Sequence, residues 1–332
     1  MPETRLLTRT EVAELLDLPA CIEAVEQAFR LQAAGRALPP GVLGVHAKGG
    51  GFHIKAAGLP LARPYFAAKV NANFPENPKR TGLPAIQGVV VLCDAENGRL
   101  LALLDSIELT ILRTGAATAV AARQLARADA SVVTVCGCGN QGRIQLRALA
   151  CVRPIRKAYA WDADPGRARS FALAMAAELG IDVEAVAELA AASRRSDICV
   201  TCTPSCQPFL SRDHVAAGAF IAAVGADNPD KQELEPELVA SSTLVVDVLE
   251  QCATIGELHH ALDTGLMTRE RVHAELAEIV AGRKPGRRSD DEIIVFDSTG
   301  TALSDVAAAA LVYERALERG RGLALDFAPE RS

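Results

Sequence analysis

The chain has 332 residues, 49% of them hydrophobic and 23% charged, and a formal net charge of −6. This length suggests about two domains of an ordinary globular α/β protein with a large core. The acidic balance excludes a nucleic-acid surface, which needs clustered excess Lys and Arg to neutralise phosphates.

No run of about 18 apolar residues occurs, and the opening MPETRLLTRTEV lacks the apolar core of a signal peptide, so no membrane span and a cytoplasmic location are expected. Nine cysteines, an odd number without framework spacing, fit reduced thiols better than disulfides. Cys199, Cys202 and Cys206 have a superficially metal-like spacing. A strand at 197–203 would turn Cys199 and Cys202 to opposite faces, and no second pair completes a tetrahedral set, so no metal is expected.

In chain order, residues 8–36 read as two short helices. Thr8 and Glu11 form a capping box, Pro19 suits a first turn, and Ile22, Val25 and Phe29 share a face. Glycines and β-formers follow from 39 to 54, with Gly49-Gly50-Gly51 as a tip before Phe52-His53-Ile54-Lys55. In a strand His53 and Lys55 project together. Lys69 lies inside the otherwise apolar strand 65–71, where it either snorkels to the surface or meets a carboxylate. Residues 86–93 and 100–104 read as strands joined through the turn Asn97-Gly98. Asp105 and Glu108 cap a long helix to about residue 125, and Arg113 on it is either a solvent-facing residue or a ligand group. The first region therefore predicts an antiparallel sheet carrying helices.

The organising stretch is residues 131–162. An apolar run, 132–136, ends in Gly137-Cys138-Gly139-Asn140-Gln141-Gly142, a helix-forming run follows, and a second apolar run closes on Asp162. Gly137 permits a sharp turn, Gly139 lets backbone approach a pyrophosphate, and Gly142 lets helix pack on strand. The helix N-terminus would face the anion, and Asp162 stands at the distance from which a carboxylate takes ribose hydroxyls. Strands are then expected at 197–203, 219–224, 243–248 and 292–296, and helices at 166–179, 186–192, 258–262, 269–281 and 302–319. Such alternation predicts a doubly wound parallel sheet, with ligands beyond the carboxyl ends of its strands. Thr203-Pro204-Ser205, Gly225-Ala226-Asp227-Asn228 and Asp297-Ser298-Thr299-Gly300 fall at those ends. The basic run 283–288 reads as a solvated loop.

The segments AAKVNANFPENPKRTGLPAIQGVVVLCDAENGRLLALLDS, RTGAATAVAARQLA, GCGNQG, VTCTPS, AVGADNPDKQEL and DEIIVFDSTG, in this order, resemble the ornithine cyclodeaminase/μ-crystallin family. The resemblance implies a homodimer, and the acidic balance and the lack of a long apolar run argue against nucleic-acid and membrane partners. Residues 1–125 with 302–332 would form a substrate-binding and dimerisation domain, and 126–301 an NAD(P)-binding Rossmann domain. By motif, Lys69 and Arg113 would hold a substrate carboxylate, Lys69 also serving catalysis. Asp227 would be the acid/base at the reacting nitrogen. Gly137, Gly139, Asn140, Gln141, Gly142 and Asp162 would meet the dinucleotide, with Thr203, Lys231 and Ser298 lining its site. His53 and Gln87 would border the substrate. Asp162 accepts bonds from a free ribose diol and repels a 2′-phosphate, which favours NAD(H), while Arg167 and Arg169 leave NADP(H) open. Where the ornithine enzyme places an acid for the distal ammonium, this chain has His53 and Lys55, which attract a second ammonium poorly. The resemblance thus implies a reductase of cyclic ketimine acids such as Δ1-pyrroline-2-carboxylate. Ornithine cyclodeaminase, alanine or another amino-acid dehydrogenase, and a μ-crystallin-like binding protein are the alternatives.

Overall fold

A computed structural model describes residues 3–326; residues 1–2 and 327–332, the last part of the segment expected in the first domain, lie outside the described residues. The chain divides into two compact units, one running to Arg113 and resuming at Thr301, the other Thr114–Gly300. The division falls inside the long helix Ser106–Leu125 rather than at its end.

The first unit is built on strands β1 (Thr4–Leu7), β2 (Leu38–Ala47), β3 (Gly50–Pro60), β4 (Pro64–Asn73), β5 (Ile86–Asp94) and β6 (Leu100–Asp105). With a short C-terminal strand, Leu323–Leu325, they form a seven-stranded sheet in which β6, β5, β4, β3 and β2 follow one another antiparallel and β2 is an edge. The helices Leu18–Ala33 and Ala302–Glu318 pack together, and the latter also lies against β3 and β4. The Ala302–Glu318 helix is Ala-rich because it is buried over most of its length, and small side chains let it sit close to the sheet. Thr8 and Glu11 make the expected capping box, and Asp17 caps the second helix through Ala20 N at 2.9 Å. β2 keeps almost every side chain exposed, including Val42, Leu43 and Val45 at 48%, 56% and 47%.

The second unit has an eight-stranded, wholly parallel sheet. Its strands are β7 (Val132–Cys136), β8 (Lys157–Trp161), β9 (Asp182–Ala185), β10 (Ile198–Thr201), β12 (Phe220–Ala223), β14 (Thr243–Val246), β15 (Ala274–Glu275) and β16 (Ile294–Asp297). A separate pair, β11 (Cys206–Leu210) and β13 (Gln232–Leu234), lies outside it. The order β15-β14-β16-β12-β10-β7-β8-β9 makes β7 the strand from which the chain winds first one way and then the other. The switch point at which doubly wound sheets bind ligands therefore lies between β7 and β10. β10, β12 and β16 are buried at every residue, which explains their continuous apolar runs.

Two expectations need correction. Residues 269–281 are not one helix: a single 3₁₀ turn, strand β15 and the short helix Leu276–Val280 occupy them, because the segment crosses the sheet edge. Nor is the basic run merely solvated. Arg287 is half-buried and donates to the carbonyls of Leu125 at 2.7 Å and Glu292 at 2.5 Å, pinning a loop to the end of the long helix.

Candidate active site

The glycine turn after β7 has the geometry its residue types demand. Gly137 takes φ 104°, a left-handed conformation, and a Cβ there would stand 2.9 Å from the Cys202 carbonyl oxygen. A Cβ on Gly142 would stand 2.1 Å from the Gly137 carbonyl oxygen, whereas one on Gly139 would meet nothing within 4 Å. Gly139 is the N-cap of the helix Asn140–Ala150 and contributes no side-chain cap, so its first amides remain available to an anion. Gln141 follows, its side-chain oxygen buried without a hydrogen-bond partner. Asp162, just past β8, accepts from Cys138 N at 2.8 Å and Asp164 N at 3.0 Å. Those two amides fix its carboxylate beside the turn. Open space over Gly139, uncapped amides and a tethered acid together fit a pyrophosphate and a ribose diol.

The neighbouring strand ends carry the other expected groups. Thr203 follows β10, Asp227 follows β12 and Ser298 follows β16, strands adjacent in the sheet, so all three lie along its carboxyl edge. Asp227 is exposed and pairs with Lys231 at 2.7 Å. Ser298 donates to Asp247 at 3.2 Å, and the same carboxylate accepts from Gly300 N at 2.7 Å. Asp247 was not expected, although an acid ending the apolar run of β14 was a visible signal. Also unexpected is a set of buried carboxylates behind these loops, Glu233, Glu257 and Asp297. Burial raises all three, Asp297 to about 7. Of the three cysteines with metal-like spacing, Cys199 is buried and Cys202 donates to the Cys136 and Gly137 carbonyls; no cluster able to hold a metal occurs among the described residues.

In the first unit Lys69 does not snorkel. It is 4% exposed, and its ammonium lies 2.8 Å from Asp305 Oδ1. Arg113 Nε lies 2.9 Å from the same oxygen, while Asp305 Oδ2 is buried without a hydrogen-bond partner. Burial, then the Arg113 charge, lowers Lys69 to about 7 against the opposing pull of Asp305, and Lys55 lowers it further. Burial alone would raise the Asp305 carboxyl, but Arg113 and Lys69 outweigh it and hold it below the usual range. Burial and the two neighbouring cations thus disfavour the ammonium while Asp305 favours it, and an arriving anion would favour it further. Register pairs Lys55 with Lys69 and His53 with Asn71, so His53, Lys55 and Lys69 share one face of the sheet. Gln87 pairs with Ala72 in an unbroken register, on the opposite face, and donates weakly to the Pro84 carbonyl at 3.4 Å. Lys69 and Arg113 thus meet at Asp305, His53 shares the sheet face of Lys69, and Gln87 lies on the other face.

A parallel sheet wound from a glycine turn, with an acid tethered beside that turn, defines a Rossmann dinucleotide-binding fold. The chain belongs to the ornithine cyclodeaminase/mu-crystallin family, whose model matches residues 2–320. An archaeal alanine dehydrogenase, solved as a dimer with bound NAD, shares 40% identity and a TM-score of 0.94, covering 98% of this chain and 100% of that one. The Δ1-pyrroline-2-carboxylate reductase of Thermococcus litoralis, solved with NADH and L-proline, shares 36% and 0.92, with 96% and 99% covered. The iminosuccinate reductase of Paracoccus denitrificans, in complex with NAD+, shares 34% and 0.90, with 98% and 100% covered. No helix among the described residues is long and apolar enough to cross a membrane.

Proposed function

We propose that this chain is an NAD(H)-dependent reductase of cyclic ketimine acids, turning Δ1-pyrroline-2-carboxylate or Δ1-piperideine-2-carboxylate into L-proline or L-pipecolate. The observation that carries the reading is the buried pair Lys69 and Arg113, whose mutual repulsion is met by one shared carboxylate and which a substrate carboxylate would neutralise further. His53 and Lys55 on the same face, in place of an acid, argue against a distal ammonium and so against ornithine as substrate.

Gly137, Gly139, Asn140, Gln141 and Gly142 would hold the pyrophosphate and Asp162 the ribose, with Thr203, Lys231 and Ser298 bordering the same ligand. The bound nicotinamide supplies a hydride. The chain's residues do the rest: Lys69 and Arg113 orient the acid, and Asp227, its charge balanced by Lys231, keeps the imine nitrogen protonated so that the ring carbon accepts the electron pair. NADH is preferred because Asp162 repels a 2′-phosphate; Arg167 and Arg169 leave NADPH a weaker alternative. The protein acts as a homodimer in this reading, supported by the dimeric alanine dehydrogenase and by the exposed apolar edge strand β2. Likeness to that enzyme also supports a second reading, reversible reduction of an open-chain imino acid such as that of pyruvate, in which the same groups do the same work.

Steady-state oxidation of NADH and of NADPH with each imine, beside L-alanine with NAD+ and L-ornithine with NAD+, tests the proposal. Imine-dependent oxidation favouring NADH is expected; ammonia release from ornithine without imine reduction would replace it with a cyclodeaminase.

A further inference from the structure

The motif AVGADNPDKQEL contains an acid that the proposed chemistry leaves unused. Glu233, on β13, is fully buried. One of its oxygens accepts from Thr203 N at 2.6 Å and the other from Gly225 N at 3.0 Å. The first amide belongs to the loop after β10, the second to the loop that carries Asp227 after β12. Glu233 is itself held from behind, because Glu257 accepts from Glu233 N at 2.8 Å and Leu234 N at 3.1 Å. Position 225 is glycine for a local reason: a Cβ would stand 2.4 Å from the Glu233 carboxyl group. Burial raises the pKa of Glu233, and hydrogen bonding by the Thr201 and Thr203 side chains and by the Thr203 and Gly225 amides opposes that shift.

We propose that Glu233 is the positioning residue of the nucleotide-binding unit, its two oxygens setting the loop of Thr203 and the loop of Asp227 at a fixed separation. The inference rests on the reading above for what Thr203 and Asp227 do, but not for the clamp itself. Both oxygens must be acceptors for the clamp to close. A glutamine keeps the shape but turns one acceptor into an N–H donor, which faces a backbone N–H and releases one loop.

The test is Glu233→Gln in the full-length protein, read by steady-state kinetics and by amide hydrogen exchange. The substrate carboxylate is held by Lys69 and Arg113, so KM for the imine stays within about twofold while kcat falls about 10- to 100-fold, the loss typical of a slightly misplaced catalytic group. Exchange of the segment around Thr203 or of that around Gly225 becomes faster than in the wild type, with the sheet strands unchanged. A lowered melting temperature with unchanged kcat would make Glu233 a structural acid only and overturn the proposal, as would unaltered exchange in both segments. Should the glutamine variant not fold, Glu233→Asp, one methylene too short to span both amides, is expected to give the same split and the same exchange. If the wild type turned over no imine, the functional reading would fail while the exchange measurement still decided the clamp.

Discussion

Lys69 is the residue on which the most testable chemistry converges. Its ammonium, lowered to about 7 by burial and by Arg113, is charged below that pH and increasingly neutral above it. KM for an imine acid is therefore expected to be flat below about pH 7 and to rise above it, and Lys69→Arg should move that limb to higher pH because a guanidinium stays charged. Lys69→Met removes a charge-assisted hydrogen bond worth about 1.5–3 kcal/mol, so KM at pH 6.5 should rise roughly 10- to 150-fold. Stability runs the other way. From about 7 to 10.5 the unfolded chain binds a proton that folded Lys69 does not, so the wild type gains stability with rising pH through that window relative to Lys69→Met. Melting temperatures of the two proteins across the window check the sign. Asp305 is the partner that sequence reading missed. It lies 236 positions from Lys69 and, in the first turn of a helix, reads as an ordinary dipole-matching acid. Only its place on an otherwise apolar, Ala-rich face hinted that it was buried. Asp305→Ala would leave two cations facing each other without their anion, and breaking a buried pair in this way costs about 3–5 kcal/mol. A lower melting temperature that added carboxylate substrate raises more than it raises the wild type's is the expected result.

At the scale of elements, legibility followed the range of the interaction that fixes each one. The β7–helix–β8 unit was readable because glycine conformation, helix start and terminal acid all lie within one short stretch. Gly142→Ala tests it. The new Cβ, 2.1 Å from the Gly137 oxygen, must move helix from strand, an overpacking cost of about 1–3 kcal/mol, and NADH binding measured by fluorescence should weaken roughly tenfold or more with circular dichroism preserved. Strands without an apolar run were not readable. β9, β11, β13 and β15 mix polar with apolar residues and are strands only because a neighbour supplies the hydrogen bonds. The segment 269–281 was misread for the same reason, its apolar spacing suiting a helix until β14 claims Ala274 and Glu275. Gln87 failed on parity: one position along β5 decides the face, and the register set by β4 was not in the local sequence. β2 presents the opposite case, an edge strand whose apolar residues have no cover within the described residues of the chain. If the proposed dimer forms through this edge, Leu43→Glu with Val45→Lys, which charges it, is expected to give a monomer by light scattering while leaving the fold intact.

At the scale of the whole molecule, the fold class and the family were legible because their signals repeat along the chain. The reaction was less so, since relatives of nearly equal likeness are an alanine dehydrogenase, a pyrroline-carboxylate reductase and an iminosuccinate reductase. The proposed reaction would pass a hydride to an imine carbon whose carboxylate Lys69 and Arg113 would hold. The most direct measurement is to supply NADH dideuterated at the reactive ring carbon together with Δ1-pyrroline-2-carboxylate and weigh the product. Proline one mass unit heavier, with the label on its α-carbon, is expected, in amounts matching the NADH consumed. Unlabelled proline, or NADH left intact while ornithine yields proline and ammonia, would contradict the account.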